Sequence, residues 1–140
     1  MKLILNKVQS DENVTINYVE MNDEVEGLIS YINNYSLVGY IDEDIYNIEL
    51  KKIYYIEAID NKVFIYTKNN CYITKKKLYE IEELKINNFV RISKSIIVNI
   101  KKIDHVKADI SGKLITTLIN GEKIIISRKY KNSFKERIGM

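Results

Sequence analysis

Three consecutive lysines, Lys75, Lys76 and Lys77, follow Thr74 and precede the short apolar stripe Leu78, Ile81 and Leu84. With Thr74 as N-cap of a helix through Leu78, these cations crowd a first turn. The helix macrodipole disfavours each there by about 0.3–1 kcal/mol at exposed sites. The pattern recurs at Ser127, a candidate cap for a last helix, which is followed by Arg128 and Lys129. Basic side chains beside free backbone N–H groups suit an external phosphate, which turns the local penalty into attraction. Sequences tend to break local preferences at functional sites. The alternative is that the boundaries lie a residue or two away and the lysines point to water. For the triple lysine both readings stand.

Other chemistry is scarce. With one histidine, His105, and one cysteine, Cys71, neither a Cys/His zinc site nor a disulfide framework fits in one chain, and a metal would need oxygen ligands. A serine or cysteine nucleophile would require His105 as base, and a lone histidine on a strand-like stretch reads as structural or solvent-exposed. Cys71, between Asn70 and Tyr72 in an apolar strand, reads as a buried small hydrophobe. Asp42-Glu43-Asp44 lacks the glycine and terminal glutamate of a calcium loop and reads as a solvated turn. The five glycines are scattered singly, with no phosphate loop or dinucleotide fingerprint. No catalytic residue, metal ligand or cofactor is expected.

The charge is polarised. Residues 1–50 hold two lysines and ten acids, a net −8, whereas residues 51–140 hold 20 basic residues and nine acids, a net +11. Such concentration points to a polyanion-binding portion beside one that does not bind polyanions. At 140 residues the chain suits one compact core. No apolar run approaches the ~18 residues of a membrane span. The stretch Leu3-Ile4-Leu5 is shorter than the ~7–15 residues of a secretory core, so a cytoplasmic protein is expected.

The elements that must carry the basic residues are mostly β. Residues 3–8 and 14–21 read as short strands, the second alternating Val14, Ile16 and Tyr18. Val25, Leu28, Ile29 and Ile32 then form a helical stripe, with Asp23 and Glu26 spaced as an N-cap pair. Leu37–Ile41 and Ile45–Leu50 read as strands joined by the acidic turn. Ile53–Ile59, Val63–Thr67 and Cys71–Thr74 make a meander around Asp60-Asn61 and Asn69-Asn70. A short helix through Leu78, Ile81 and Leu84 turns Glu80, Glu82 and Glu83 to water. Periodicity leaves Phe89–Ile100 open. Ser111-Gly112-Lys113 and Asn120-Gly121 punctuate three apolar runs, the latter as a hairpin whose residues both tolerate positive φ. Tyr130, Phe134 and Ile138 then mark a last helix.

Within this frame lie Ile56-Glu57-Ala58, the block F-x-R-x-x-x-S-x-x-V-N from Phe89 to Asn99, and the pair N-G-E … S-R-x-Y at Asn120-Gly121-Glu122 and Ser127–Tyr130. From about Ile45 to Ile138 the chain resembles the LytTR DNA-binding family of bacterial transcription regulators. The resemblance implies a mainly β fold, an elongated antiparallel sheet with short helices whose loops enter successive major grooves. A small α+β segment precedes it. Residues 1–44 form an acidic, β-α-β-like extension and residues 45–140 the DNA-binding domain.

Carried over by position, the family's contacting loops fall at Asn61 and Lys62, at Ser93 and Lys94, and at Arg128 and Lys129. An arginine reads guanine O6 and N7 bidentately, discriminating by about 1–3 kcal/mol, and Arg128 fits that role. Lysine at 94, where many members have arginine, keeps the charge but loses the planar fork. Lys62, in a turn, also reads as plain solvated charge. Lys75, Lys76, Lys77 and Arg91 are expected at phosphates, while Phe89, Asn99 and Tyr130 serve the fold. About 45 residues precede the resembling region, too few for the receiver of about 120 residues that many relatives carry, so control by phosphorylation is not expected.

The expected function is therefore a non-catalytic, sequence-specific regulator that binds double-stranded DNA at promoter direct repeats or half-sites. A homodimer and a regulatory membrane protein are further partners that the resemblance admits. The competing readings are a protein-interaction or ligand-sensing β module with a basic face, and a hydrolase using His105.

Overall fold

The computed structural model describes residues 17–33 and 36–140, and its contacts divide the chain into two units, Met1–Tyr35 and Ser36–Met140. In the first unit, the strand expected at 3–8 lies outside the described residues. The strand expected at 14–21 does not extend through 17–21, where the backbone is irregular and Tyr18 and Val19 are exposed. Alternation alone makes no strand unless a neighbouring ladder takes up the backbone groups. Helix α1, Asp23–Asn33, forms as expected but is capped one residue earlier. Asn22 Oδ1 accepts from the Val25 N–H at 3.0 Å, leaving Asp23, Glu24 and Glu26 in the first turn, where the macrodipole favours acids.

The second unit is mainly antiparallel β. Its strands are β1 (Ser36–Ile41), β2 (Asp44–Glu49), β3 (Ile53–Ile59), β4 (Lys62–Thr67), β5 (Cys71–Thr74), β6 (Phe89–Arg91), β7 (Ile96–Asn99), β8 (Ile103–Ala108), β9 (Leu114–Leu118) and β10 (Lys123–Ile126). Helices α2 (Leu78–Glu83) and α3 (Lys131–Ile138) complete it. The first seven strands form one sheet in the order β2-β1-β5-β4-β3-β7-β6, and the last three form a second, β10-β9-β8. Because the unit begins at Ser36, β1, which sequence grouped with the acidic extension, pairs into the large sheet. Gly39 makes that pairing feasible: a Cβ there would lie 2.6 Å from Ile48 Cδ1 and 2.7 Å from Tyr72 Cβ.

Two apolar clusters hold the unit together. One gathers Leu37, Ile53, Ile56, Ile65 and Ile97 with Leu78 and Ile81 of α2. The other gathers Tyr54, Val90, Ile92 and Val98 with Leu114, Leu118, Ile124 and Ile126 of the small sheet and Phe134 of α3. Successive residues of a strand point to opposite faces, so β7 gives Ile97 to the first cluster and Val98 to the second. A strand buried on both faces has no polar phase, which is why periodicity left Phe89–Ile100 open; it is the hairpin β6–β7. Asn99, 2% exposed, donates from Nδ2 to the Ile53 carbonyl at 2.8 Å and accepts the Lys101 N–H at 3.0 Å. It staples β7 to the start of β3.

Two local expectations are corrected. Cys71 is exposed, not buried: β5 turns Tyr72 and Thr74 inward and Cys71 and Ile73 outward, and its Cys-Tyr-Ile-Thr sequence is apolar on both phases. In the β9–β10 loop only Gly121 takes positive φ, at 89°. Asn120 serves it differently, accepting the Glu122 N–H at 3.1 Å through Oδ1. Among the described residues no helix is long and apolar enough to cross a membrane, and no two α-helices form a helix–turn–helix pair.

Candidate nucleic-acid interface

Strand register brings the predicted residues to one end of the large sheet. Ile59 faces Lys62 across the β3–β4 turn, Val63 faces Thr74, and Glu57 faces Ile96. The Asp60-Asn61 turn, the lysines after Thr74 and the β6–β7 loop of residues 92–95 therefore lie at the same edge. Two backbone bonds lock the arrangement: Ala58 N–H donates to Ser95 O at 2.8 Å, and Ser127 N–H donates to Ile92 O at 2.9 Å. The second draws in the segment that carries Arg128. Asn61 and Lys62, Ser93 and Lys94, and Arg128 and Lys129 thus sit on three adjoining loops, although they are far apart in sequence.

Each loop has its own physical support. Asp60 and Asn61 adopt positive φ, 49° and 65°, the two-residue geometry that matches the twist of an antiparallel hairpin and that Asp and Asn tolerate. Lys62 follows, exposed, at the first position of β4. In the β6–β7 loop Arg91 is turned inward, its side chain only 16% exposed. Its Nε donates to the Ser93 carbonyl at 2.7 Å, another guanidinium nitrogen donates to the Lys94 carbonyl, and Nη1 pairs with Glu82 at 3.3 Å. Ser93 Oγ accepts the Ser95 N–H at 3.2 Å, so Ser93 shapes the loop from within while Lys94 stays exposed.

The third loop is a 3-10 turn, Arg128–Tyr130, leading into α3. Arg128 is exposed and, among the described residues, its side chain has no hydrogen-bonding or ionic partner. Lys129 Nζ stands 5.7 Å from the Tyr130 ring centroid, Tyr130 packs on the second cluster, and Lys131 Nζ donates to the Gly112 carbonyl at 2.8 Å. The turn is thus held beneath while its guanidinium points free.

The cap expectations are corrected. Thr74 does not begin α2; its hydroxyl accepts the Lys76 N–H at 3.3 Å in a local turn, and α2 starts at Leu78, with Glu80 accepting the Lys77 N–H at 3.1 Å. Lys75, Lys76 and Lys77 therefore precede the helix instead of crowding its first turn, with Lys77 at the N-cap. Lys75 Nζ lies 4.9 Å from the Tyr40 ring centroid, while Lys76 and Lys77 are exposed. Likewise Ser127 makes no side-chain cap and leads into the 3-10 turn, with α3 starting only at Lys131.

The remaining candidates lie elsewhere. His105, on β8, is exposed and pairs with its neighbour Asp104 at 2.6 Å. No group of three or more His, Cys, Asp or Glu side chains suited to a metal occurs among the described residues. Near the middle of β3, burial first, then the Glu122 carboxylate of the β9–β10 loop, pushes the Tyr55 hydroxyl pKa up. Burial and the Glu122 charge also raise the pKa of Glu57. Sequence reasoning missed Glu82 and Ser95 as supports of the Lys94 loop; Ser95 acts through its backbone, which leaves no side-chain signal.

Comparison with known proteins bears on this geometry. A family model described as the LytTr DNA-binding domain matches residues 43–139. Uncharacterized HTH-type transcriptional regulators from Staphylococcus aureus strains bovine RF122 / ET3-1 and MSSA476 are each 31% identical over 144 aligned residues, covering 100% of this chain and 98% of the relative. A solved LytTr DNA-binding domain of a methyl-accepting/DNA response regulator from Bacillus cereus shares the fold, with a TM-score of 0.72 and 24% identity, over 76% of this chain and 99% of that one.

Proposed function

The chain belongs to the LytTr DNA-binding domain family and is a DNA-binding transcription regulator; from that premise we propose that it reads double-stranded promoter half-sites in a sequence-specific way, through the three adjoining loops and without catalysis. The observation that carries this reading is the convergence of exposed Lys62, Lys94 and Arg128, tied by the Ala58–Ser95 and Ser127–Ile92 backbone bonds. Lacking a helix–turn–helix pair among its described residues, the protein presents loop side chains to the major groove. Base edges there carry a distinct donor and acceptor pattern for each pair.

Roles divide by chemistry. Arg128 reads guanine with its free planar fork, and Lys94 adds a point charge with less discrimination. Lys62, Lys76, Lys77 and Lys129 contact phosphates, which fix register without reading sequence. Asn61 shapes its turn and Ser93 its loop, each close enough to the duplex edge to donate or accept a bond. Arg91 acts indirectly: with three of its donors committed to Ser93, Lys94 and Glu82, it positions the Lys94 loop. The protein works where the chromosome is, in the cytoplasm.

If these four lysines neutralise phosphates, log affinity for a promoter duplex falls linearly with log salt, with a slope of roughly −4. Lys76→Met and Lys77→Met each reduce the slope by about 1 and weaken all duplexes alike. Fluorescence anisotropy between about 50 and 200 mM salt measures this. A flat salt response would refute duplex binding through this edge.

A further inference from the structure

At the end of the large sheet away from the reading loops, a groove of about 480 Å³ opens between β2, the β4–β5 turn and the segment after β7. That volume lies within the roughly 300–1,000 Å³ of small-molecule sites. Its walls combine two chemistries. Tyr46 and Tyr72 stand with ring centroids 5.2 Å apart at 60°, and the largely buried Tyr54 offers its ring face to Lys102 Nζ at 5.1 Å. Tyr46, 39% exposed, leaves part of its ring open to the groove. Lys52 is partly neutralised by Glu49 at 3.6 Å. Lys68 and Lys102 also line the groove, and among the described residues neither has a carboxylate partner.

Ammonium groups without a carboxylate partner at the rim of an aromatic recess attract an anion, and the open part of the Tyr46 ring favours a flat apolar body. A strongly hydrated ion such as free phosphate gains only from the lysines, and a neutral aromatic only from the rings. A molecule with both parts gains twice. We propose that this groove binds a small organic anion with a planar aromatic body, its acid group taken by Lys68 and Lys102 and its body by the exposed ring of Tyr46. The site is separate from the DNA-reading edge and does not depend on that assignment.

Isothermal titration of the full chain with 2-naphthoate tests it, beside neutral 2-naphthylmethanol and inorganic phosphate. The expected result is saturable binding of one 2-naphthoate per chain, with the neutral analogue and phosphate at least about tenfold weaker, since each lacks one of the two parts the groove takes. Lys102→Met and Lys68→Met, which keep an apolar stem, are each expected to weaken 2-naphthoate about tenfold with the melting midpoint unchanged. Tyr46→Leu should weaken it severalfold. The proposal is overturned if 2-naphthoate does not saturate, if the neutral analogue binds as well, if the lysine variants bind unchanged, or if a promoter duplex displaces the ligand.

Discussion

Arg128→Ala is expected to lower affinity for the cognate promoter half-site by about 1–3 kcal/mol, roughly five- to 150-fold, and to leave affinity for scrambled duplex nearly unchanged. The exposed guanidinium has no intramolecular partner among the described residues, so its loss leaves nothing buried and unsatisfied. An exposed substitution of that kind changes stability by no more than about 0.5 kcal/mol. The effect therefore falls on recognition. Arg128→Lys separates charge from shape: it retains the positive charge but cannot grip O6 and N7 together, so discrimination drops nearly as far as in the alanine variant. Competition gel shifts with cognate and scrambled DNA report both terms. Equal losses on both duplexes would place Arg128 at a phosphate.

Phe134→Ala is expected to cost about 3–5 kcal/mol of folding stability. The ring is fully buried among Tyr54, Val90, Ile92, Val98 and the inward residues of the small sheet, where truncation leaves a cavity that close-packed neighbours fill poorly. Small domains are stable by only about 5–15 kcal/mol, so the melting midpoint should fall by more than about 10 °C. An eight-residue helix such as α3 does not persist without tertiary packing. Its end is closed well enough, with Gly139 at φ 81° and Met140 N–H donating to the Lys135 carbonyl at 2.8 Å, but closure does not replace the missing ring. The Arg128 turn, immediately before α3, loses its anchor, and DNA affinity falls with it. The exposed Asn132→Ala in the same helix serves as control, changing stability by under about 0.5 kcal/mol. A native melting midpoint for Phe134→Ala would contradict the role of the second cluster.

Much of this fold could be read from residue types. Strands β3, β4 and β5 matched their β-branched runs because Asp60-Asn61 fixes a tight left-handed turn, and the α3 stripe matched because Phe134 is its one fully buried residue. Misreadings came where local rules have two solutions. Thr74 and Ser127 are good caps by type, yet the bends after them delay the helices to Leu78 and Lys131. Cys71 lies in a strand whose two phases look equally apolar. The candidate site was legible as a set of residues only through the family blocks. Its assembly was not, because it depends on register and on backbone bonds such as Ser127 to Ile92, which carry no side-chain signature. The Arg91 side chain shows the same limit: nothing in its sequence neighbourhood announces that it folds back on the Ser93 and Lys94 carbonyls.

The most direct test of loop-mediated reading is selection from a random double-stranded DNA pool by the purified full chain, with heparin as competitor and sequencing of the retained duplexes. Enrichment of one guanine-containing motif that survives heparin, and that blurs at a guanine position in the Arg128→Ala protein, is the predicted result. Retention of all duplexes alike, with heparin displacing every one, would contradict it and leave only a cationic surface.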